Sequence, residues 1–137
     1  MPDALKIERI GQAGIRVHEL DRAVAFYRDV LGLQFLFRVP NLAFFDCGGV
    51  RILLDVVTDP EFDHPSSVFY FSVSDLPEQH ARLRAHGVET VTPPHKIATL
   101  GDREIWMAFF RDPDRNVHAL MSEVPVAAGS GTKEETS

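Results

Sequence analysis

Six histidines, one cysteine and a large set of aromatic side chains are the residues of this 137-residue chain with chemistry to offer. His18, His64, His80, His86, His95 and His118 show neither the H-x-H nor the H-E-x-x-H spacing that places two imidazoles on one ion. They read as surface or structural residues. His95, in the Pro93-Pro94-His95-Lys96 loop, is the best candidate for an acid or base reaching a cavity from its rim, although an exposed loop histidine without a role is the commoner case. Cys47 has no basic or histidine neighbour in sequence to activate a thiolate, so it reads as core packing. Ten phenylalanines, with Trp106, Tyr27 and Tyr70, cluster on strand-like segments, and core packing accounts for most of them.

The elements that must position these residues follow from periodicity. Ile7 to Val17 reads as a strand, and Asp21 as the N-cap of a helix over Arg22 to Leu31. Ala23, Phe26, Tyr27, Val30 and Leu31 make one apolar stripe of that helix, and Gly32 stops it. Strands are expected around Gln34–Val39, Leu42–Cys47 and Val50–Val57, the last two joined at Gly48-Gly49. After a connector, residues 58–66, the pattern begins again. A strand over Val68–Val73 leads to a helix opened by Pro77 and closed by Gly87, with a weaker stripe of Leu76, His80, Leu83 and Ala85. Strands are then expected over Val88–Thr92, Ile105–Phe110 and Asn116–Met121. Setting Val17 against Val73 and Leu20 against Leu76 also matches Ala43-Phe44-Phe45-Asp46 with Ala108-Phe109-Phe110-Arg111-Asp112, less one inserted residue. Two copies only mean two facing modules, not a solenoid. The expectation is one α+β domain over residues 1–124, with modules at about 5–57 and 67–123, and a disordered tail over residues 125–137.

Composition narrows the function classes. A chain with 45% hydrophobic and 25% charged residues folds without help. A net charge of −6 with no basic cluster argues against nucleic acid and anionic lipid as partners. No apolar run is long enough to cross a bilayer. A lone cysteine excludes an intrachain disulfide, and no secretory leader pattern is seen at the N-terminus, so a cytoplasmic location is expected.

Ile10-Gly11-Gln12-Ala13-Gly14-Ile15-Arg16-Val17, Leu20-Asp21-Arg22-Ala23 and Phe26-Tyr27-Arg28-Asp29-Val30-Leu31-Gly32 resemble the opening of the vicinal oxygen chelate superfamily, the glyoxalase, bleomycin-resistance and extradiol dioxygenase proteins. Phe71-Ser72-Val73-Ser74-Asp75-Leu76, Leu83-Arg84-Ala85-His86-Gly87-Val88 and Phe109-Phe110-Arg111-Asp112-Pro113-Asp114-Arg115-Asn116 continue the likeness. It implies two paired βαβββ modules forming a cupped mixed sheet, often within a homodimer, around a pocket that commonly holds a divalent metal.

The resemblance places the usual ligands at Gln12, Val68, Leu53 and Ala119, and the internal repeat independently pairs Gln12 with Val68 and Leu53 with Ala119. Val68, Leu53 and Ala119 cannot coordinate a cation, which needs about three protein ligands. Asp55 shares the Leu53 face, but Gln12 with Asp55 makes only two ligands. No metal site is therefore assigned and no cofactor expected, a divalent metal being the alternative. Gln12 reads as a hydrogen-bonding pocket residue and Tyr70 as an aromatic viewing the pocket. Phe35, Phe37, Phe44, Trp106 and Phe110 are further candidates. Arg16 either meets a ligand anion or pairs with a surface acid. His118, beside Ala119 on a strand, points away from the pocket. The Asp112–Asn116 turn is structural, and family members carry Gly where Arg115 stands, so a left-handed Arg115 would cost on the order of 1 kcal/mol unless Asn116 takes that geometry.

An apolar floor of Val68, Leu53 and Ala119 favours retention of a hydrophobic or aromatic small molecule over polarisation of an oxyanion. The leading expectation is thus a metal-independent binding protein. The alternative is an enzyme, a glyoxalase-type lyase or isomerase with a displaced metal site or cofactor-free chemistry through His95 or Asp55. Extradiol ring cleavage is disfavoured, since its iron needs two histidines and a carboxylate. A regulatory module with a filled interior is the third possibility.

Overall fold

In the computed structural model, which describes residues 3–126, the two halves of the chain repeat one another strand for strand. The first module runs β1 (Gln12–Val17), α1 (Leu20–Ala25) continued by a π-helical turn (Phe26–Val30), β2 (Gln34–Val39), β3 (Leu42–Cys47) and β4 (Val50–Val56). The second runs β5 (Tyr70–Ser72), α2 (Leu76–Ala85), β6 (His95–Leu100), β7 (Arg103–Arg111) and β8 (Val117–Pro125). Each builds a four-stranded mixed sheet, ordered β1-β4-β3-β2 and β5-β8-β7-β6. The βαβββ repeat is thus the architecture. Register repeats too: Gly14 and Phe44 flank Leu53 across β4 as Tyr70 and Phe109 flank Ala119 across β8.

Local chemistry accounts for most of the boundaries. Helix α1 is capped by the Glu19 carboxylate, which accepts from Arg22 N at 2.8 Å, so the N-cap stands two residues before Asp21. Asp21 instead pairs with Arg38 at 2.7 Å. Asp75 caps α2, with Pro77 in its first turn and Gly87 at φ +78 just beyond its end. In its stripe Leu76 and Leu83 are buried, but Ala85 is exposed. Both hairpin glycines, Gly48 (φ +58) and Gly49 (φ +93), take the left-handed backbone that the β3–β4 turn requires.

Several strands differ from the pattern reading. The first starts at Gln12, leaving Leu5, Ile7 and Ile10 exposed ahead of it. Val88–Thr92 forms only an isolated bridge, Thr90 to Phe110, and the edge strand is instead β6, whose mixed residues His95 to Leu100 keep no clean alternation. His95 therefore begins a strand and does not sit in a loop. Of the expected tail, Pro125 closes β8 and Val126 N donates to Asp102 O at 2.9 Å, while residues 127–137 lie outside the described residues. Among the described residues no helix is long and apolar enough to cross a membrane.

A single core joins the modules. Ile15, Val17, Phe45, Ile52 and Leu54 of the first sheet and Ala108, Phe110 and Leu120 of the second all contribute to it, with Tyr27 between. The Tyr27 ring meets Phe45 on one side at 6.3 Å and His118 on the other at 6.1 Å. Both sheets thus turn their helix-bearing faces to common ground, and their other faces are left open to the outside.

A polar clasp fixes that arrangement. Buried Asp112 accepts from the Tyr27 hydroxyl (2.6 Å), Asp114 N (2.9 Å), Asn116 N (2.8 Å) and Asn116 Nδ2 (2.9 Å). Asn116 also donates to Arg16 O (2.8 Å) and accepts from Ser66 N (2.9 Å). Asp114 Oδ1 accepts from His18 N (2.8 Å) and Arg22 Nη2 (3.1 Å). The Asp112–Asn116 turn is the structural element its sequence suggested. Arg115, not Asn116, takes the left-handed position, at φ +70.

Two stability outcomes follow from the clasp. Tyr27→Phe takes one donor from a buried carboxylate and the partner from His118 Nε2, and should lower unfolding free energy by about 2 kcal/mol in urea titration. Arg115→Gly relieves the left-handed strain while losing only an exposed pair with Glu89. It should raise stability by up to about 1 kcal/mol, read as a higher Tm.

Candidate functional site

The open face of the first sheet is ordered in three ranks, each crossing β1, β4, β3 and β2 in turn. Strand alternation assigns them. The first rank is polar: Gln12, Arg51, Asp46 and Gln34. The middle rank is apolar: Gly14, Leu53, Phe44 and Phe37. Arg16, Asp55, Leu42 and Val39 form the third. Phe37 stacks on Phe44 with ring centroids 4.5 Å apart and planes within 19°. Arg51 donates from Nε to Gln12 Oε1 at 3.0 Å and holds its guanidinium 5.8 Å from the Phe44 centroid.

On the second sheet the open face carries Tyr70, Ala119 and Phe109 in one rank and Ser72, Met121, Met107 and His95 in the next. Tyr70, half exposed, meets Phe109 edge-on at 6.1 Å. Val68, beside the start of β5, is exposed as well. His95 lies on this face with Nδ1 2.9 Å from the Pro93 carbonyl oxygen.

Gln12, Leu53, Asp55, Tyr70 and Ala119 therefore all stand on open faces, but of two sheets that share a core on their other sides. One chain does not bring them around a single cavity. The two largest of its described cavities, about 560 and 380 Å³, lie elsewhere: one between the start of α2 and the Trp106 end of the second sheet, one between the modules near Cys47 and Leu83.

Four of the sequence candidates leave the pocket. Trp106 and Phe110 belong to the helix-bearing face, since β7 alternation puts Phe109 and Met107 on the open one. Phe110 is fully buried with its ring 5.9 Å from His118, and Trp106 donates to Glu104 Oε1 at 3.0 Å. Phe35 likewise packs on Phe45, on the helix-bearing side. Arg16 sends its guanidinium to Asp63 Oδ1 (3.2 Å) and Asp114 O (3.0 Å), so it serves the clasp, its surface-acid reading.

Arg51, Phe109, Met107 and Met121 went unread in the sequence. The step of two that linked Leu53 to Asp55 also links it, in the other direction, to Arg51. The repeat had already matched Phe109 to Phe44, the signal that Phe110 was one residue off the open face.

At the positions where the resemblance would put metal ligands, the side chains present few donors. Leu53 and Ala119 present hydrocarbon, Val68 the same, and the Gln12 carbonyl already accepts from Arg51. Among the described residues no three His, Cys, Asp or Glu side chains are grouped to hold a metal.

Burial leads the shifts of Cys47, Tyr27 and His118, and hydrogen bonding that of Asp63. Burial pushes the Cys47 thiol up, with Asp46 adding to the effect. Hydrogen bonds from His18 and Arg16 pull Asp63 below its usual range. Burial raises Tyr27 well above 10, reinforced by the Asp112 charge. Its hydroxyl donates to Asp112, so its oxygen accepts from His118 Nε2 at 3.0 Å. That assignment leaves His118 Nδ1 a bare acceptor among the rings of Phe69, Phe71 and Phe110. Burial accordingly lowers the His118 pKa to about 4, against a smaller opposing pull from Asp112.

A family model, Glyoxalase/Bleomycin resistance protein/Dioxygenase superfamily, matches residues 9–120. The chain belongs to this superfamily. The uncharacterized protein YraH of Bacillus subtilis is 28% identical over 123 residues, 77% of this chain and 91% of that protein. Among solved structures, a lactoylglutathione lyase from Agrobacterium tumefaciens superposes with a TM-score of 0.64 at 24% identity, covering 95% of this chain and 100% of its own. The genomically encoded fosfomycin resistance protein of Listeria monocytogenes gives 0.67 at 18%, covering 85% and 94%. These superpositions establish the shared glyoxalase fold.

The buried histidine makes superfamily stability in this chain pH-dependent. Unfolded His118 takes its proton near pH 6.5, whereas the folded residue resists until about pH 4. Between those values the unfolded state binds the extra proton, so stability falls as pH falls, by up to roughly 3 kcal/mol. Urea midpoints from pH 7.5 to 4 should show this slope and lose most of it in His118→Leu.

Proposed function

We propose that this superfamily member binds a hydrophobic or aromatic small molecule without a metal, between the open face of the first sheet of one copy and that of the second sheet of another. The carrying observation is the apolar rank itself. Gly14, Leu53, Phe44 and Phe37 on one face, with Tyr70 and Phe109 over a fully buried Ala119 on the other, offer aromatic and aliphatic surface where a catalytic cation would need charged or imidazole donors. Phe37 (49% exposed), Tyr70 (50%) and Leu100 (64%) are too open for a finished pocket, which supports a homodimer as the binding unit. Gln12 and Asp55 supply the polar contacts. A cytoplasmic setting fits a half-buried free Cys47.

The alternative is a superfamily enzyme of lyase or isomerase type. It draws support from His95 and Asp55, titratable side chains on the two open faces that such a dimer would bring together.

Protein purified without an affinity metal should run in light scattering at about 31 kDa, twice the 15.3 kDa chain. It should contain no stoichiometric nickel, zinc, iron or manganese and show no tight binding of them in calorimetry. A naphthalene probe should bind saturably, insensitive to chelator and weakened by Tyr70→Ala or Gln12→Ala. Tight, near-stoichiometric metal would overturn this reading in favour of the enzyme. Binding that survives both substitutions would overturn the pocket.

A further inference from the structure

We propose that Arg51 makes this an anion site, and that the ligand is an aromatic monocarboxylate with its ring on the Phe37–Phe44 side and its carboxylate on Arg51 and Gln12. The inference rests on the reading of the open faces as ligand-binding and specifies what they bind.

Arg51 stands apart from most other arginines of the chain. Arg16, Arg22, Arg28, Arg38, Arg82, Arg111 and Arg115 each lie within 4 Å of a carboxylate. Arg51 has no such partner among the described residues, and its Nε goes to a neutral acceptor, Gln12 Oε1. Asp46, its cross-strand neighbour, turns Oδ2 back to Gly49 N at 3.3 Å and caps the hairpin. A guanidinium carries five N–H donors in a planar fork, so the terminal nitrogens are left for a ligand.

The same hydrogen bond sets the character of Gln12. With its oxygen facing Arg51, the amide presents its NH2 group, so the two side chains together offer only donors. A carboxylate accepts from such a pair, whereas a cation or a donor-rich ligand is rejected. Phe44 holds the guanidinium from below, which limits the ordering needed on binding.

Beside this donor pair is room for a ring. Gly14 adjoins Leu53 in the apolar rank, and a Cβ placed on it would meet nothing within 4 Å. Phe37, stacked on the Phe44 ring that the guanidinium overlies, extends that surface toward β2. The second module does not repeat the charge. Register places Val117 where Arg51 stands and Arg111 where Asp46 stands, and Arg111 is 3.3 Å from Glu89. The donor pair of Arg51 and Gln12, with no counterpart in the second module, selects one negative charge.

The test is a calorimetric titration of the full chain, at low salt and pH 7.5, with 2-naphthoate and with the neutral 2-naphthylmethanol. Naphthoate should bind at least about tenfold more tightly, the increment expected of a charge-assisted hydrogen-bond pair. In Arg51→Met, which keeps the aliphatic stem, the ratio of the two affinities should fall to about one, with an unchanged Tm showing an intact fold. Equal binding of both probes to the parent chain, or a preference that survives Arg51→Met, would overturn the anion site while leaving the apolar pocket standing. Binding of neither probe would overturn both.

Discussion

Everything on the outside of this chain depends on one buried carboxylate. Asp112 is held by four donors, one of them the hydroxyl of Tyr27 from the opposite module. A charge so deep in an apolar core costs several kcal/mol unless its acceptor capacity is filled. That requirement constrains geometry: the turn supplies three donors itself, and the fourth, the Tyr27 hydroxyl, ties it to the first helix. With that tie made, both sheets face the shared core and both open faces point out. A purely apolar contact between modules, being non-directional, would tolerate sliding that this network does not.

The clasp also explains which parts of the molecule were legible in the sequence. The repeat was, because each module states the same order of strand, helix and glycine stop, and the pairing of Leu53 with Ala119 agrees with the observed register, while Val68 stands ahead of β5, outside the paired strands. Strand β6 was not, because an edge strand solvated on one side carries His95, Lys96 and Thr99 where a buried strand would carry aliphatics. Arg16 was ambiguous for a long-range reason. Its partners Asp63 and Asp114 are 47 and 98 residues away, beyond any spacing rule. Trp106 and Phe110 are pocket candidates by residue type alone, and strand phase, which inverts every side chain at a one-residue step, turns both to the helix-bearing face.

The open faces were legible in composition better than in detail. Leu53 and Ala119 are hydrocarbon by sequence alone, and the structure adds what surrounds them: a stacked Phe37–Phe44 pair, a half-exposed Tyr70 against Phe109, and the methionines Met107 and Met121. Aromatic faces and thioethers adapt to varied apolar shapes, so a ligand bound as proposed would be selected here by area and flatness more than by hydrogen bonds. Polar selection falls to its edge.

At that edge the balance of charges decides what can be bound. The chain as a whole is at −6, so its far field repels anions, but screening confines such fields to about 8 Å at physiological salt. Within that distance the local arrangement wins, and locally Arg51 is uncommitted while Asp46 is bound to its own hairpin. An approaching carboxylate therefore meets mild repulsion at a distance and attraction at contact. Such a site gains little rate from electrostatic steering and places its selectivity in the bound state, where the donor pair and the apolar rank act on the two ends of one small molecule.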